Sequence, residues 1–227
     1  MTNLMTIFLS ILMCSLSVQL QAAELTKEQL EAWFNDDTRL HPHEFVSNEG
    51  ELEFLSSPPK KRTPNLQNKV FIKEDSLKTG WVQINQCYDE LDPIEAVEVV
   101  YRYREMRGLK VQSFKNIDKA VVQGQSVQLD NVQKGAELCV AIEARILIRN
   151  KNGQYQFRNG PFQRRFLDSY FPMHVQLDVQ FPENLLVVSS VTPDVAPGFK
   201  VTKEKNRLQI DAWFKGKLLI EVNFKTL

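Results

Sequence analysis

The chain has 227 residues, 43% of them apolar, and its 28 basic and 28 acidic side chains give a formal net charge of zero. This composition suits one or two small globular domains, and the chain is long enough to form a core. Neutrality also argues against a nucleic-acid-binding protein, because that affinity depends on Lys and Arg side chains that neutralise phosphates.

The N-terminal segment is predicted to be an export signal. Met1 to Ala23 contain no Lys, Arg, Asp or Glu, and Ile7 to Val18 form an apolar run of the length found in signal peptides. Small residues at Ala22 and Ala23 offer a cleavage site, so residues 1–22 are predicted to be removed. The mature protein is then periplasmic or secreted, without a membrane span. An uncleaved anchor is the alternative, because no Lys or Arg precedes the apolar run.

Residues 23–67 are predicted to form a short helix followed by an extended segment. Thr26 is placed as the N-cap, and Gln29 stands three residues later, where a capping box requires Glu or Gln. One face of this helix carries apolar side chains, namely Leu30, Trp33 and Phe34. Such a face docks on the main body of the chain or on a partner.

Residues 68–158 are predicted to form a β-sandwich, because apolar residues recur at alternate positions within short segments bounded by turn residues. In the clearest strand, Ala96 to Met106, one face carries Val97, Val99, Tyr101 and Tyr103. The other predicted strands are Val70 to Lys73, Trp81 to Tyr88, Leu109 to Phe114, Ser126 to Leu129, Leu138 to Ile148 and Tyr155 to Arg158.

Cys87 and Cys139 remain after signal removal, and exported chains meet an oxidising compartment in which thiols pair. A Cys87–Cys139 disulfide is therefore predicted. Closing a loop of roughly 50 residues stabilises a fold by about 4 kcal/mol in the chain-entropy model. The alternative is a reactive or metal-binding thiol pair, which is disfavoured by the absence of a CxxC spacing or a neighbouring His.

The segment from Ser126 to Ala144 reads SVQLDNVQKGAELCVAIEA. It resembles the strand, glycine-containing turn and following strand near the end of a fibronectin type III module, and Ala96 to Arg104 resembles the central tyrosine-bearing strand. The resemblance covers about Asn68 to Phe166 and implies a binding or spacer module that transfers no catalytic residues. It places Cys139 on the outer face of the sheet, with the inward positions held by Leu138, Val140 and Ile142.

Residues 159–172 interrupt the strand pattern and are predicted to be an interdomain linker. They combine aromatic and arginine side chains, which are enriched at protein interfaces. The resulting partner-binding candidates are Phe162, Arg164, Arg165, Phe166, Tyr170 and Phe171. In the alternative interpretation, the rings join two domains of the same chain, since exposed rings are costly.

Residues 173–227 are predicted to be a small C-terminal β domain. Lys215, Gly216 and Lys217 are predicted to form a hairpin turn before the last strand. The five predicted strands are Met173 to Gln180, Leu185 to Ser190, Phe199 to Thr202, Leu208 to Phe214 and Leu218 to Phe224.

The sequence has few residues typical of catalytic or metal sites. It contains no GxSxG, HExxH, Walker or GxGxxG motif, and no cofactor is predicted. The three histidines, His41, His43 and His174, provide one hypothesis, because residues separated by one position point the same way on an extended chain. With Met173 they offer ligands suited to copper in an exported protein.

Clustered acids raise a second hypothesis, a hydrolase with paired carboxylates, through Asp36 with Asp37 or through Asp89, Glu90 and Asp92. The preferred interpretation is a non-catalytic protein with two β-sandwich-like domains after a short N-terminal helix. It is expected to bind an envelope protein or a surface polymer. A periplasmic assembly chaperone, which offers an exposed edge strand to its client, is the nearest competitor.

Overall fold

The computed structural model describes residues 50–227, which fold almost entirely into β-strands, so the predicted all-β class is confirmed. The helix α1 is a single turn, Ser76–Thr79. The strands are β1 (Glu53–Phe54), β2 (Asn65–Phe71), β3 (Trp81–Leu91), β4 (Ile94–Val100), β5 (Met106–Gln123), β6 (Ser126–Arg145), β7 (Leu147–Arg149), β8 (Tyr155–Phe162), β9 (Arg164–Phe166), β10 (Ser169–Phe171), β11 (Met173–Gln180), β12 (Leu186–Thr192), β13 (Phe199–Lys203), β14 (Arg207–Lys215) and β15 (Leu218–Thr226).

Two sheets enclose the main core. The larger sheet has nine strands and runs β1-β14-β11-β2-β3-β6-β4, with β13 paired to β14 and β5 paired to β6. The smaller sheet runs β12-β15-β8-β7. Alternate side chains of both sheets meet in one buried cluster, because successive residues of a strand point to opposite faces. Its fully buried members include Leu66, Ile84, Phe157, Leu177, Phe214 and Phe224.

The predicted division into two β domains is not followed by the strand pairing. β2 lies before the predicted linker and β11 after it, yet the two pair in parallel, and β15 pairs with β8. Residues 50–227 all belong to one compact unit. Residues 159–172 therefore do not separate domains, and they contain the end of β8 together with β9 and β10.

The predicted hairpin between β14 and β15 is wrong, because the two strands lie in different sheets. Gly216 makes the turn that carries the chain from the larger sheet to the smaller one. Its φ of 91° lies in the region that favours glycine, and an added Cβ would overlap the carbonyl oxygen of Glu51. The turn residues were recognised correctly, but a local pattern does not reveal which sheet the next strand joins.

The region from Ser126 to Ala144, predicted as two strands with a turn, belongs to the single 20-residue strand β6. β3 and β4 lie end to end along one edge of β6, and β5 lies along the other. Together β4, β5 and β6 form a ribbon whose tip is the two-residue turn at Gly124 and Gln125.

This ribbon is strongly curled. Val100 pairs with one end of β6 and Met106 with the other, yet six residues reach at most about 21 Å. A straight strand over the same stretch of β6 would span about 60 Å at roughly 3.3 Å per residue. The connecting segment 101–105 ties both ends of β6 together through hydrogen bonds. Tyr101 N–H donates to Gln125 O at 2.9 Å, and Arg145 N–H donates to Glu105 O at 3.0 Å.

The curl is produced by irregularities aligned across three strands. Glu90, Asn116 and Gly135 all have positive φ, and the register shifts at the first two positions. Extra residues of this kind bend a strand and increase its twist. The Asn116 side-chain amide donates to Gly135 O at 2.9 Å, which fixes the bend. A second buried cluster fills the curl, with members including Tyr101, Ile117, Val127, Leu129, Leu138, Val140 and Ile142.

The Cys87–Cys139 disulfide is confirmed, with an S–S distance of 2.13 Å between residues that face each other on β3 and β6. Leu138, Val140 and Ile142 are buried, whereas Cys139 lies on the opposite, partly exposed face, as predicted.

The predicted signal, residues 1–22, and the predicted N-terminal helix lie outside the described residues. None of the helices within residues 50–227 is long and apolar enough to cross a membrane.

Candidate functional site

A cleft of about 420 Å³ opens where the two buried clusters meet. β3 contributes Gln86 and Tyr88, and β4 with the following residues contributes Val97 through Tyr103. The facing wall is formed by residues 160–167. Further apolar lining comes from Pro64, Leu66, Leu91 and Met173. We call this cavity the tyrosine cleft, because Tyr88, Tyr101 and Tyr103 all line it.

The cleft exists because of the fold of the ribbon. Residues 101–105 cross between the two ends of β6 and bring Tyr101 and Tyr103 opposite β3. Tyr103 accepts a hydrogen bond from the Gln86 side-chain amide at 3.4 Å, and Tyr88 donates to Gln86 Oε1 at 3.0 Å. The Tyr103 hydroxyl also donates to Asn159 Oδ1 at 3.5 Å. A polar network therefore joins the two sheets beside the cleft, and charged side chains, including Asp92, Glu98 and Arg102, also line the cleft.

The three tyrosines stay neutral at physiological pH. Burial raises the pKa of Tyr88, Tyr101 and Tyr103 above the usual tyrosine value of about 10, because a phenolate would lose its water of hydration. Proximity of the rings adds to the raised pKa values of Tyr88 and Tyr103, since two phenolates would repel each other. The hydroxyl groups therefore act as neutral hydrogen-bonding groups rather than as bases.

Asn68 lies behind this network with neither of its side-chain amide atoms hydrogen-bonded to the described part of the chain. Its side chain is 0% exposed, and Gln86 is its partner across β2 and β3. Asn159 is equally buried, and its Nδ2 likewise has no hydrogen-bond partner among the described residues. Unmet amide groups of this kind cost free energy in a core.

We expect Asn68→Leu to raise the free energy of unfolding by about 1–2 kcal/mol, because a buried unsatisfied amide is replaced by an apolar side chain of similar size. Urea unfolding of the two proteins measures the difference. Asn152→Leu, in an exposed turn, is the control and should change the value by less than about 0.5 kcal/mol. A clear loss of stability in Asn68→Leu would contradict the prediction and show that the amide is satisfied in solution.

One end of the cleft is closed by an ion pair. The Arg164 guanidinium meets the Asp92 carboxylate through two nitrogens, with Nε to Oδ2 at 2.8 Å, and also donates to Pro172 O at 3.2 Å. The Arg164 side chain is only 13% exposed. A two-point contact of this type fixes geometry as well as charge, so it anchors residues 160–167 against the start of β4.

The predicted partner-binding residues are divided between core and surface. Phe162, Tyr170 and Phe171 are buried, which agrees with the interpretation that the rings hold parts of the chain together. Phe166 is partly exposed. Arg165 is exposed, bonds Leu167 O and Asp168, and lies 5.7 Å from the Tyr170 ring centre. Phe162, Arg164 and Arg165 line the tyrosine cleft.

His174 lies on the outer face of the larger sheet. Its Nε2 is 3.1 Å from Asp211 Oδ2, and its ring stacks on Trp213 with the centres 4.0 Å apart. His41 and His43 lie outside the described residues. Residues 50–227 contain no group of three or more His, Cys, Asp or Glu side chains placed to hold a metal ion.

The acidic residues considered for hydrolysis take structural contacts. Asp89 accepts hydrogen bonds from the Asn65 and Gln67 amides, Glu90 pairs with Arg62, and Asp92 pairs with Arg164. Asp36 and Asp37 fall outside the described residues.

Sequence reasoning missed Gln86 and the tyrosines as a site. The available signal was a glutamine at an inward position of β3, where the neighbouring inward residues Val82 and Ile84 are apolar.

No protein-family model matches the chain, and no curated protein matches it. Among solved structures, an M1 zinc metallopeptidase from Deinococcus radiodurans is 10% identical over 78% of this chain, with a TM-score of 0.36. A mutant of this enzyme with a bound substrate is 11% identical over 70% of the chain, with a TM-score of 0.38. The chain covers 43% and 42% of those proteins. Similarity this low carries no argument about fold or activity.

Proposed function

We propose that this chain is an exported, non-catalytic β-sandwich protein that binds a segment of another envelope protein in the tyrosine cleft. The observation that carries the proposal is the cleft itself, of about 420 Å³, whose lining combines apolar side chains, charged side chains and a neutral hydrogen-bonding network. Cavities of this size and mixed character are the usual form of a binding site. Export is supported by the apolar N-terminus and the Cys87–Cys139 disulfide, since disulfides persist in oxidising compartments.

The character of the lining favours a polypeptide over a surface polymer. Leu91, Val97, Val100 and Leu167 line the cleft, are at least partly exposed and supply apolar contacts. Apolar side chains of a partner gain free energy when they leave water against such walls. Polysaccharide hydroxyl groups placed on this apolar part of the lining would lose water without gaining a partner.

The electrostatics of the cleft favour binding rather than reaction. The tyrosine hydroxyl groups are held neutral by burial, which raises each pKa, and the Arg164 charge is met by Asp92. A general base needs a pKa near the working pH, and these three hydroxyls are far from it.

We expect Gln163→Trp to reduce capture of the partner at least tenfold, because the indole would fill the cleft from its wall. The purified disulfide-bonded protein is immobilised and exposed to solubilised envelope proteins and, separately, to purified cell-wall polymer. Bound material is quantified and identified by mass spectrometry. Gln180→Trp is the matched control, since Gln180 is exposed at the end of β11 and does not line the cleft.

Thermal unfolding of both variants establishes that they fold. Equal capture by wild type and Gln163→Trp would contradict the proposed site. Capture of polymer rather than protein, lost in Gln163→Trp, would overturn the choice of partner class.

A further inference from the structure

β4 presents a free backbone edge to the tyrosine cleft. Among the described strands it pairs with β6 alone, and β5 occupies the opposite edge of β6. The consecutive residues Val97, Glu98, Val99 and Val100 all line the cleft, although neighbours in a strand point to opposite faces. Side chains from both faces of a strand can line the same cavity when the edge of the strand borders that cavity. We therefore infer that the edge of β4, with its N–H and C=O groups, is turned toward the cleft.

The edge of β4 lacks the features that protect the other sheet edges in residues 50–227. β5 carries Lys110, Lys115 and Lys119 and has three register shifts, and β13 carries Lys200 and Lys203. β12 has a register shift, and β7 has three residues. Lysines, bulges and short length all block strand addition. β4 contains no lysine, no proline and no register shift, and its charged side chains are the two carboxylates Glu95 and Glu98.

The cleft beside β4 suits alternating side chains. Val97 and Val99 pack against the cluster inside the ribbon, whereas Glu98 and Val100 are exposed. A strand added beside β4 would place every second side chain toward the apolar part of the cleft lining, which includes Leu91 and Leu167. The facing wall at residues 160–167 would cover it.

Two charges mark the direction of such a strand. Glu98 and Arg102 both line the cleft, are exposed and have no ion-pair partner within the described part of the chain. Antiparallel pairs are about two- to three-fold more common than parallel ones. In an antiparallel arrangement, the N-terminal part of the incoming strand lies beside Arg102 and the C-terminal part lies beside Glu98. An acidic residue in the first part and a basic residue in the second would therefore each meet an opposite charge.

Resting on the proposed function, we propose that the partner binds by strand addition, as an extended antiparallel segment paired with the edge of β4. The segment is a stretch of another envelope protein with apolar side chains at alternate positions, an acidic residue toward its N-terminal end and a basic residue toward its C-terminal end. Main-chain hydrogen bonds supply affinity in this mode, and side-chain pockets supply specificity.

The test uses a defined peptide and the full mature protein. The peptide is an acetylated, amidated octapeptide with valine at positions 1, 3, 5 and 7, aspartate at position 2, lysine at position 6 and threonine at positions 4 and 8, so its two charges are four residues apart, as Glu98 and Arg102 are. Binding is followed by NMR of isotope-labelled protein, together with hydrogen exchange of the β4 amides. We expect binding with protection of these amides, and its loss in Gln163→Trp but not in Gln180→Trp.

Two control peptides test whether binding occurs by strand addition and whether the added strand is antiparallel. A peptide with alternate backbone nitrogens methylated keeps its side chains but loses donors, so it should bind at least tenfold more weakly. A peptide in which the lysine and the aspartate are exchanged should bind about threefold more weakly to wild type. It should be preferred by Glu98→Lys with Arg102→Glu, whose substitutions lie on exposed positions.

Equal binding of the methylated peptide would overturn strand addition, as would no binding at about 1 mM. In both cases, loss of envelope-protein capture in Gln163→Trp would leave the proposed function standing. β4 amides protected without peptide, with protection lost on dilution, would assign the edge to a second copy of the chain and also overturn the proposal.

Discussion

The double variant Cys87→Ser with Cys139→Ser is expected to lose about 4 kcal/mol of unfolding free energy. The disulfide closes a loop with a sequence separation of 52, and opening it restores the entropy of the unfolded chain. The cysteines join β3 to β6, and β6 is the strand with which β4 and β5 pair in the curled ribbon. The disulfide therefore holds together the strands that position the cleft. Urea unfolding under oxidising conditions measures the loss.

Wild-type protein in reductant should match the double variant, because both lack the covalent bond. Ser113→Ala is the control, since Ser113 pairs with Cys139 on the neighbouring strand without taking part in the bond. A loss below about 1 kcal/mol would show that the unfolded chain is already restricted in that loop.

Stability is expected to fall steeply above pH 10. The unfolded chain releases its tyrosine protons near pH 10, whereas burial keeps the pKa of Tyr88, Tyr101 and Tyr103 higher in the folded protein. The unfolded state then binds fewer protons, so the contribution of these groups is fully present below pH 10 and is lost as the pH rises. Each group changes the free energy by about 1.4 kcal/mol per pH unit, which gives about 4 kcal/mol per unit for three.

Urea midpoints between pH 8 and 11 measure this slope, and absorbance near 295 nm follows tyrosine ionisation. Tyr101→Phe removes one of the three groups and should reduce the slope by about one third relative to wild type. Ionisation of all five tyrosines near pH 10 in protein that is still folded would contradict the assignment.

The alternation of apolar and polar residues is sufficient to predict where most of the strands lie. The alternation in residues 173–180 predicts β11 with the bounds that the structure has, because one face of that strand is buried and the other is not. The same reasoning placed Val97 and Val99 correctly on one face of β4. It extended the strand too far, since the chain leaves the sheet after Val100 to cross the curl.

Long-range pairing could not be predicted in this way. Nothing in the alternation of β2 indicates that its neighbour is β11, so the aromatic residues between them were interpreted as a linker. The bend at Glu90, Asn116 and Gly135 is similarly hidden, because three positive-φ residues distant in sequence become one feature only after the strands align. The cleft depends on that bend and was therefore not predicted.

The parallel pairing of β2 with β11 has a consequence for how the chain reaches its native state. More than half of the described residues separate the two strands, so the centre of the larger sheet has a high contact order. The chain loses conformational entropy when it closes this long loop, and the pairing of β2 with β11 stabilises the fold only afterwards. We therefore expect folding on a millisecond-to-second timescale. β2 can join β11 only after residue 173 has been synthesised, which makes completion of the larger sheet a late event in the formation of the fold. Until then the edge of β2 is open to aggregation.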